Sequence, residues 1–130
     1  MNKPKTITLT PFLTVGSGKK AIDFYVNAWK ATILTQHDRE NNGIMAKISI
    51  AGADFWIGDQ EPEFGNMCPD GTTNSSVRII LETKNADELF EQALLFGATT
   101  ICPMTTEDSW RIGKLIDPFG HIWELGYELD

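Results

Sequence analysis

About 67 residues after its first appearance, the pattern of this chain begins again. Ile22 falls on Leu89, Trp29 on Phe96, Ala31-Thr32 on Ala98-Thr99 and Lys47-Ile48 on Lys114-Leu115. After a one-residue gap, Gly52 falls on Gly120 and Gly58 on Gly126. Two copies of one short unit restrict the fold far more than composition does. The copies are expected to share one core, because 130 residues make a single domain of ordinary size.

Periodicity assigns each copy a strand, a helix and three strands. In the first, Ile7, Leu9, Leu13 and Val15 share one strand parity across residues 7–15, with Pro11 interrupting. Gly16-Ser17-Gly18 breaks that strand, and Ile22, Tyr25, Val26 and Trp29 mark a helix over residues 19–31. A short strand at 32–36 leads to a polar turn at 37–43, ending in the hairpin signal Asn42-Gly43. Two further strands follow, one through Met45, Ile48 and Ile50 and one starting at Phe55-Trp56-Ile57. In the second copy, a strand at 77–81 precedes a helix opened by the capping arrangement Asn85…Glu88 and stopped by Gly97. Residues 98–102 read as a strand and 103–108 as a turn. Residues 112–116 and 122–127 form a final hairpin around Asp117-Pro118-Phe119-Gly120. The expected class is α+β: duplicated βαβββ modules with helices packed on one face of curved antiparallel sheets. Module one covers about residues 6–59, a Pro-, Gly- and acid-rich linker about 60–76, and module two about 77–127 of the single domain.

Eleven basic against eighteen acidic residues leave a net charge of −7, which argues against a broad nucleic-acid-binding surface. No apolar run approaches the roughly 20 residues of a membrane helix. No signal-peptide stretch follows the charged first five residues, so a cytoplasmic protein is expected. Cys68 and Cys102 show no metal-finger or redox spacing and are expected as free thiols. Gly16-Ser17-Gly18-Lys19-Lys20 joins a strand to a helix but is too short for a phosphate loop. Lys20 also stands where that loop needs a hydroxyl. Its two lysines oppose the helix dipole unless a neighbouring acid compensates.

The duplicated pattern resembles the vicinal oxygen chelate superfamily, which includes glyoxalase I, extradiol dioxygenases, fosfomycin-resistance proteins and bleomycin-binding proteins. The resemblance is carried by Thr10-Pro11-Phe12-Leu13, Ala21-Ile22-Asp23-Phe24-Tyr25, Gly113-Lys114-Leu115 and the closing run Asp117-Pro118-Phe119-Gly120-His121-Ile122-Trp123-Glu124-Leu125. Within the superfamily the chain looks like the PhnB-like branch. The resemblance implies that the duplicated βαβββ modules form a curved, U-shaped antiparallel sheet around a cavity, with helices on its outer face. It also implies a homodimer, and residues 59–76 as a lid or dimer arm. Metal-dependent members place His, Gln or Glu ligands on equivalent strands. Here those positions fall on Thr10 or its neighbour, Arg78, Trp56 and Glu124. Only Glu124 is a credible ligand, and one carboxylate falls short of the usual three, so no metal cofactor is expected. His37 reads as an exposed turn residue, and His121 as a turn residue whose side chain bonds backbone.

The same positions suggest a different cavity. Arg78 and Glu124 pair as a structural ion pair, or they fix an anionic or carbonyl group with Glu124 as acceptor or base. Trp56 shares the parity of Glu124 and faces the cavity, whereas Trp123 faces the helix. Trp110, in the loop before the seventh strand, covers the mouth. The expected ligand-binding residues are Thr10, Phe12, Trp56, Arg78, Trp110 and Glu124, with Glu124 the one catalytic candidate. Three functions stay open: metal-independent binding of a small organic ligand, a metal-dependent glyoxalase-type lyase or isomerase, and a structural or regulatory homodimer with a filled cavity.

Overall fold

The computed structural model describes residues 6–71 and 75–130. Residues 1–5, which entered the reading of the N-terminus, and 72–74 of the linker lie outside the described residues. The order is β1 (Phe12–Val15), α1 (Gly18–Trp29), β2 (Thr32–Asp38), β3 (Ile44–Ile50) and β4 (Ala53–Asp59). It then repeats as β5 (Arg78–Glu82), α2 (Ala86–Leu95), β6 (Thr99–Glu107), β7 (Trp110–Ile116) and β8 (Ile122–Glu128). Two successive hairpins bring β4 back beside β1, and β8 beside β5, running in the same direction. The result is two four-stranded sheets, ordered β1-β4-β3-β2 and β5-β8-β7-β6. The α+β duplication stands as read. Within one chain, however, the curved sheet is divided in two, and one pairing in each half is parallel.

Each sheet packs one face on its own helix, and the helices pack on each other. Alternation sends Ala46, Ile48, Phe55 and Ile57 of the first sheet, and Leu115, Trp123 and Leu125 of the second, into the core. Six rings, from Phe24, Tyr25, Trp29, Phe55, Phe119 and Trp123, meet there. Trp29 and Trp123 lie edge to face at 4.8 Å between centroids. The opposite faces of Trp56 and Trp123 follow from the same alternation: Trp123 is buried and Trp56 half-buried.

Three side chains staple one module to the other. The Trp29 indole donates to the carbonyl of Leu89 at 2.9 Å. His121 Nε2 lies 2.7 Å from the carbonyl oxygen of Thr14, and an acceptor there makes that nitrogen the protonated one. β1 is an edge strand, so this contact occupies a carbonyl that no neighbouring strand can reach. The Tyr25 hydroxyl donates to Asp117, which is 3% exposed. Burial, then the Asp117 charge, push the Tyr25 phenol well above its ordinary value of 10.0. An unfolded phenol ionises near pH 10 and the folded one does not. Stability is therefore fully present below about pH 10 and declines above it, by about 1.4 kcal/mol per pH unit. Urea midpoints between pH 9 and about pH 11 should fall more steeply for the wild type than for Tyr25→Phe. Parallel slopes would contradict this assignment.

The helix starts and stops explain several boundaries. Ser17 caps α1, accepting from the Lys20 amide at 3.3 Å. Asp59 accepts from the amides of Gly18 at 3.1 Å and Ile44 at 2.7 Å. That carboxylate is the neighbouring acid that the Lys19-Lys20 start requires. At the other end Lys30 takes the left-handed conformation that Gly97 takes in module two. The Asn85 side chain does not cap α2; instead the Thr83 carbonyl accepts from Ala86, and Thr83 Oγ1 from Asn85.

Four local expectations are corrected. β1 starts only at Phe12, and Ile7 and Leu9 are 96% and 99% exposed, because this chain places no second layer over them. Residues 103–108, read as a turn, continue β6, which tolerates Pro103 as an edge strand with two register shifts. His37 belongs to β2, all of whose residues are exposed. Trp110 opens β7 and pairs with Glu107 and Glu128, so it is no loop residue. Among the described residues no helix is long and apolar enough to cross a membrane.

Candidate functional site

The sheet faces turned away from the helices carry the candidate residues, in two groups on different sheets. On the first sheet, Phe12 of β1 lies in register with Trp56 of β4. Their rings are parallel within 8° at 6.4 Å between centroids. The Arg39 guanidinium sits 5.9 Å from the Phe12 ring centroid, within cation–π reach. Arg39 also donates to the Asp59 carbonyl at 2.8 Å and pairs with Glu61 at 3.2 Å. Gly58 makes this approach possible, since a Cβ there would lie 2.9 Å from Phe12 and 3.0 Å from Arg39. Thr10 precedes the strand and is exposed.

On the second sheet, Arg78 of β5 pairs through Nε with Glu124 of β8 at 3.2 Å. The Arg78 side chain is 54% exposed and that of Glu124 15%, so the carboxylate is the sheltered partner. Lys114 of β7 lies directly opposite Glu124, on the same face. Arg78 and Lys114 help line a pocket of about 250 Å³ with Ser75, Ser76, Ile101 and Ile122. Phe12 lines another, of about 310 Å³, with Thr14, Met67, Cys68 and His121 among its walls.

Geometry therefore joins Phe12 to Trp56 and Arg78 to Glu124, and sets Trp110 apart at the start of β7. Sequence reasoning missed Arg39 and Lys114. Lys114 was accessible in principle: the hairpin centred on residues 117–120 sets Ile116 opposite Ile122, and hence Lys114 opposite Glu124. Arg39 carried no such signal, because its contacts depend on how the 39–43 turn folds back over β4.

The chelate positions implied by the resemblance do not suit a metal. Glu124 is engaged by a cation, Arg78 and Trp56 supply no ligand atom, and Thr10 stands outside the strand. Among the described residues no three His, Cys, Asp or Glu side chains come together as a metal-binding group.

The closing motif has a structural role of its own. Asp117 Oδ2 accepts from Tyr25, and from the Trp123 indole at 2.9 Å; Oδ1 accepts from the amides of Phe119 at 2.9 Å and His121 at 3.0 Å. One buried carboxylate thereby shapes the turn, seats Trp123 in the core and aims β8, which carries Glu124, out of it.

No protein-family model matches this chain. An uncharacterised protein of Mycobacterium bovis is 33% identical over 124 residues, spanning 91% of this chain and 81% of its own length. An uncharacterised protein of Mycobacterium tuberculosis is 33% identical over the same span and 72% of its own length. Among solved structures, TioX from Micromonospora sp. ML1 superposes with a TM-score of 0.73 at 20% identity, covering 95% of this chain and 100% of its own. The fosfomycin resistance protein FosX from Listeria monocytogenes, complexed with Mn(II) and sulfate, gives 0.69 at 16% identity over 95% and 93%. A PhnB protein from Bacillus cereus, a putative 3-demethylubiquinone-9 3-methyltransferase, gives 0.68 at 19% identity over 93% and 99%. The chain belongs to one family with the two mycobacterial proteins, and it shares the duplicated fold of the TioX, FosX and PhnB structures.

Proposed function

We propose that this protein is a cytoplasmic, PhnB-like member of the superfamily that binds a small organic ligand on its open sheet faces without a metal ion. The Arg78–Glu124 ion pair at 3.2 Å carries this reading, because it stands at positions that the resemblance assigns to metal ligands in chelating members. In module one Trp56 stands at the position of Glu124, and its stacking on Phe12 suits a flat or apolar group. A homodimer belongs to the same reading. Phe12, Val77 and Ile80 are exposed apolar residues on or beside the two sheet faces, and a second copy set against them encloses the cavity. Sedimentation velocity should show a dimer at micromolar concentration. A monomer up to about 100 μM would remove this part of the proposal.

The ligand reading is tested by thermal shift across a panel of metabolites and aromatic antibiotics, with EDTA present throughout. A true ligand at about 100 times its Kd stabilises by about 2.7 kcal/mol, which is easily resolved as a rise in Tm. Trp56→Ala should weaken such a ligand at least about tenfold. A tight dimer with no shift across the panel would favour a filled cavity. Turnover of hemithioacetals that EDTA abolishes would favour the lyase reading.

A further inference from the structure

We infer that the open face of the second sheet carries an oxyanion site, in which Arg78 and Lys114 hold the carboxylate or phosphonate group of the ligand. This deepens the ligand-binding role proposed above and rests on it. Glu124 lies between two cations, the Arg78 guanidinium at 3.2 Å and the Lys114 side chain opposite it on β7. One carboxylate can neutralise only one of them, so the pocket keeps a positive charge on a chain whose net charge is −7. The ion pair uses Nε of Arg78, and among the described residues neither Nη makes a hydrogen bond. Lys114 makes no ion pair among them either. Guanidinium N–H groups with an open edge, beside a point charge, match the oxygens of a carboxylate or phosphonate. Ile101 and Ile122 in the walls favour an organic anion over a fully hydrated inorganic one.

The duplication separates this arrangement from a purely structural pair. In module one the positions of Lys114, Glu124 and Arg78 carry Lys47, Trp56 and Thr10, with no carboxylate among them. A βαβββ sheet of this family thus closes without an ion pair at that place. The ionic set is a property of module two alone.

The test is a titration of 15N-labelled protein, in low-salt buffer, with benzoate, phenylphosphonate and benzamide. Low salt matters because exposed charges are screened within about 10 Å at 0.1 M. Both anions should shift the amides of Ser76, Ile101, Lys114 and Ile122, and benzamide should bind at least about tenfold more weakly. The ratio of the two anion affinities identifies the preferred head group. Lys114→Met should weaken both anions about tenfold and leave benzamide unchanged, whereas Lys84→Met, at an exposed lysine elsewhere, should change none. Benzamide binding as tightly as benzoate at those amides would overturn the oxyanion site. Anions that shift only other amides, or none at about 10 mM, would overturn it too. Indole and benzyl alcohol, titrated alongside, report separately on the underlying proposal through the amides around Phe12 and Trp56.

Discussion

Asp117→Asn should lower stability by about 3 kcal/mol and Tm by roughly 10 °C. The carboxylate accepts from four donors, two on each oxygen, and is 3% exposed. An amide offers one oxygen and one NH2 group. If the oxygen faces Tyr25 and Trp123, the NH2 confronts the Phe119 and His121 amides, and the reverse orientation is no better. Two donors lose their acceptor in either case, the part-buried amides or the buried Tyr25 and Trp123 groups, at about 1–3 kcal/mol each. Tyr25→Phe removes one donor and leaves the rest of the network, so it should cost only about 1 kcal/mol. The double variant should cost less than the sum of the singles, since the two residues share one hydrogen bond. Urea unfolding of the four proteins measures all of this. An Asn variant within about 1 kcal/mol of the wild type would show that the network is not what seats Trp123 and β8.

Gly126→Ala should be as severe, about 3 kcal/mol or more, for a steric reason. A Cβ at Gly126 would lie 3.2 Å from Ile112 Cα and far inside contact distance of the Arg111 carbonyl oxygen. Both obstacles are backbone, in the strand paired with β8, so relief requires opening the ladder at Ile112 and Gly126. Its repeat partner Gly58 meets mostly the movable ends of Phe12 and Arg39. Gly58→Ala should therefore spare stability by comparison and displace Phe12 from Trp56, weakening ligand more than fold. Gly52, at φ +95° with nothing within 4 Å, provides the conformational control, where alanine should cost about 1 kcal/mol. Equal losses at positions 52 and 126 would refute the steric account.

The fold was largely legible because the repeat supplied two readings of every element. Where one copy was ambiguous the other was not: Gly97 advertises a helix stop that Lys30 makes without glycine. Alternation sorted Trp56 from Trp123 because it needs only parity. The errors share a cause, which is that edges and surfaces are set by tertiary context. Ile7 and Leu9 carry a strand pattern but have no pairing partner here, while Pro103 sits in a strand because that strand is an edge. At the site, Phe12, Trp56, Arg78 and Glu124 followed from strand position. Arg39 did not, since its place over Phe12 depends on a turn brought in from residues 39–43. That Asp117 organises the closing motif was equally hidden, because its partner Tyr25 lies in the other module.

Metal stoichiometry tests the central claim most directly. Purified protein would be incubated with Mn(II), Zn(II), Ni(II) and Fe(II) in turn, dialysed, and measured for bound metal by mass spectrometry, alongside Glu124→Ala. With Arg78 engaging Glu124 and no group of three metal-ligating side chains among the described residues, the account predicts retention well below one metal per chain, unchanged in the variant. One metal per chain, tightly held and lost in Glu124→Ala, would contradict it.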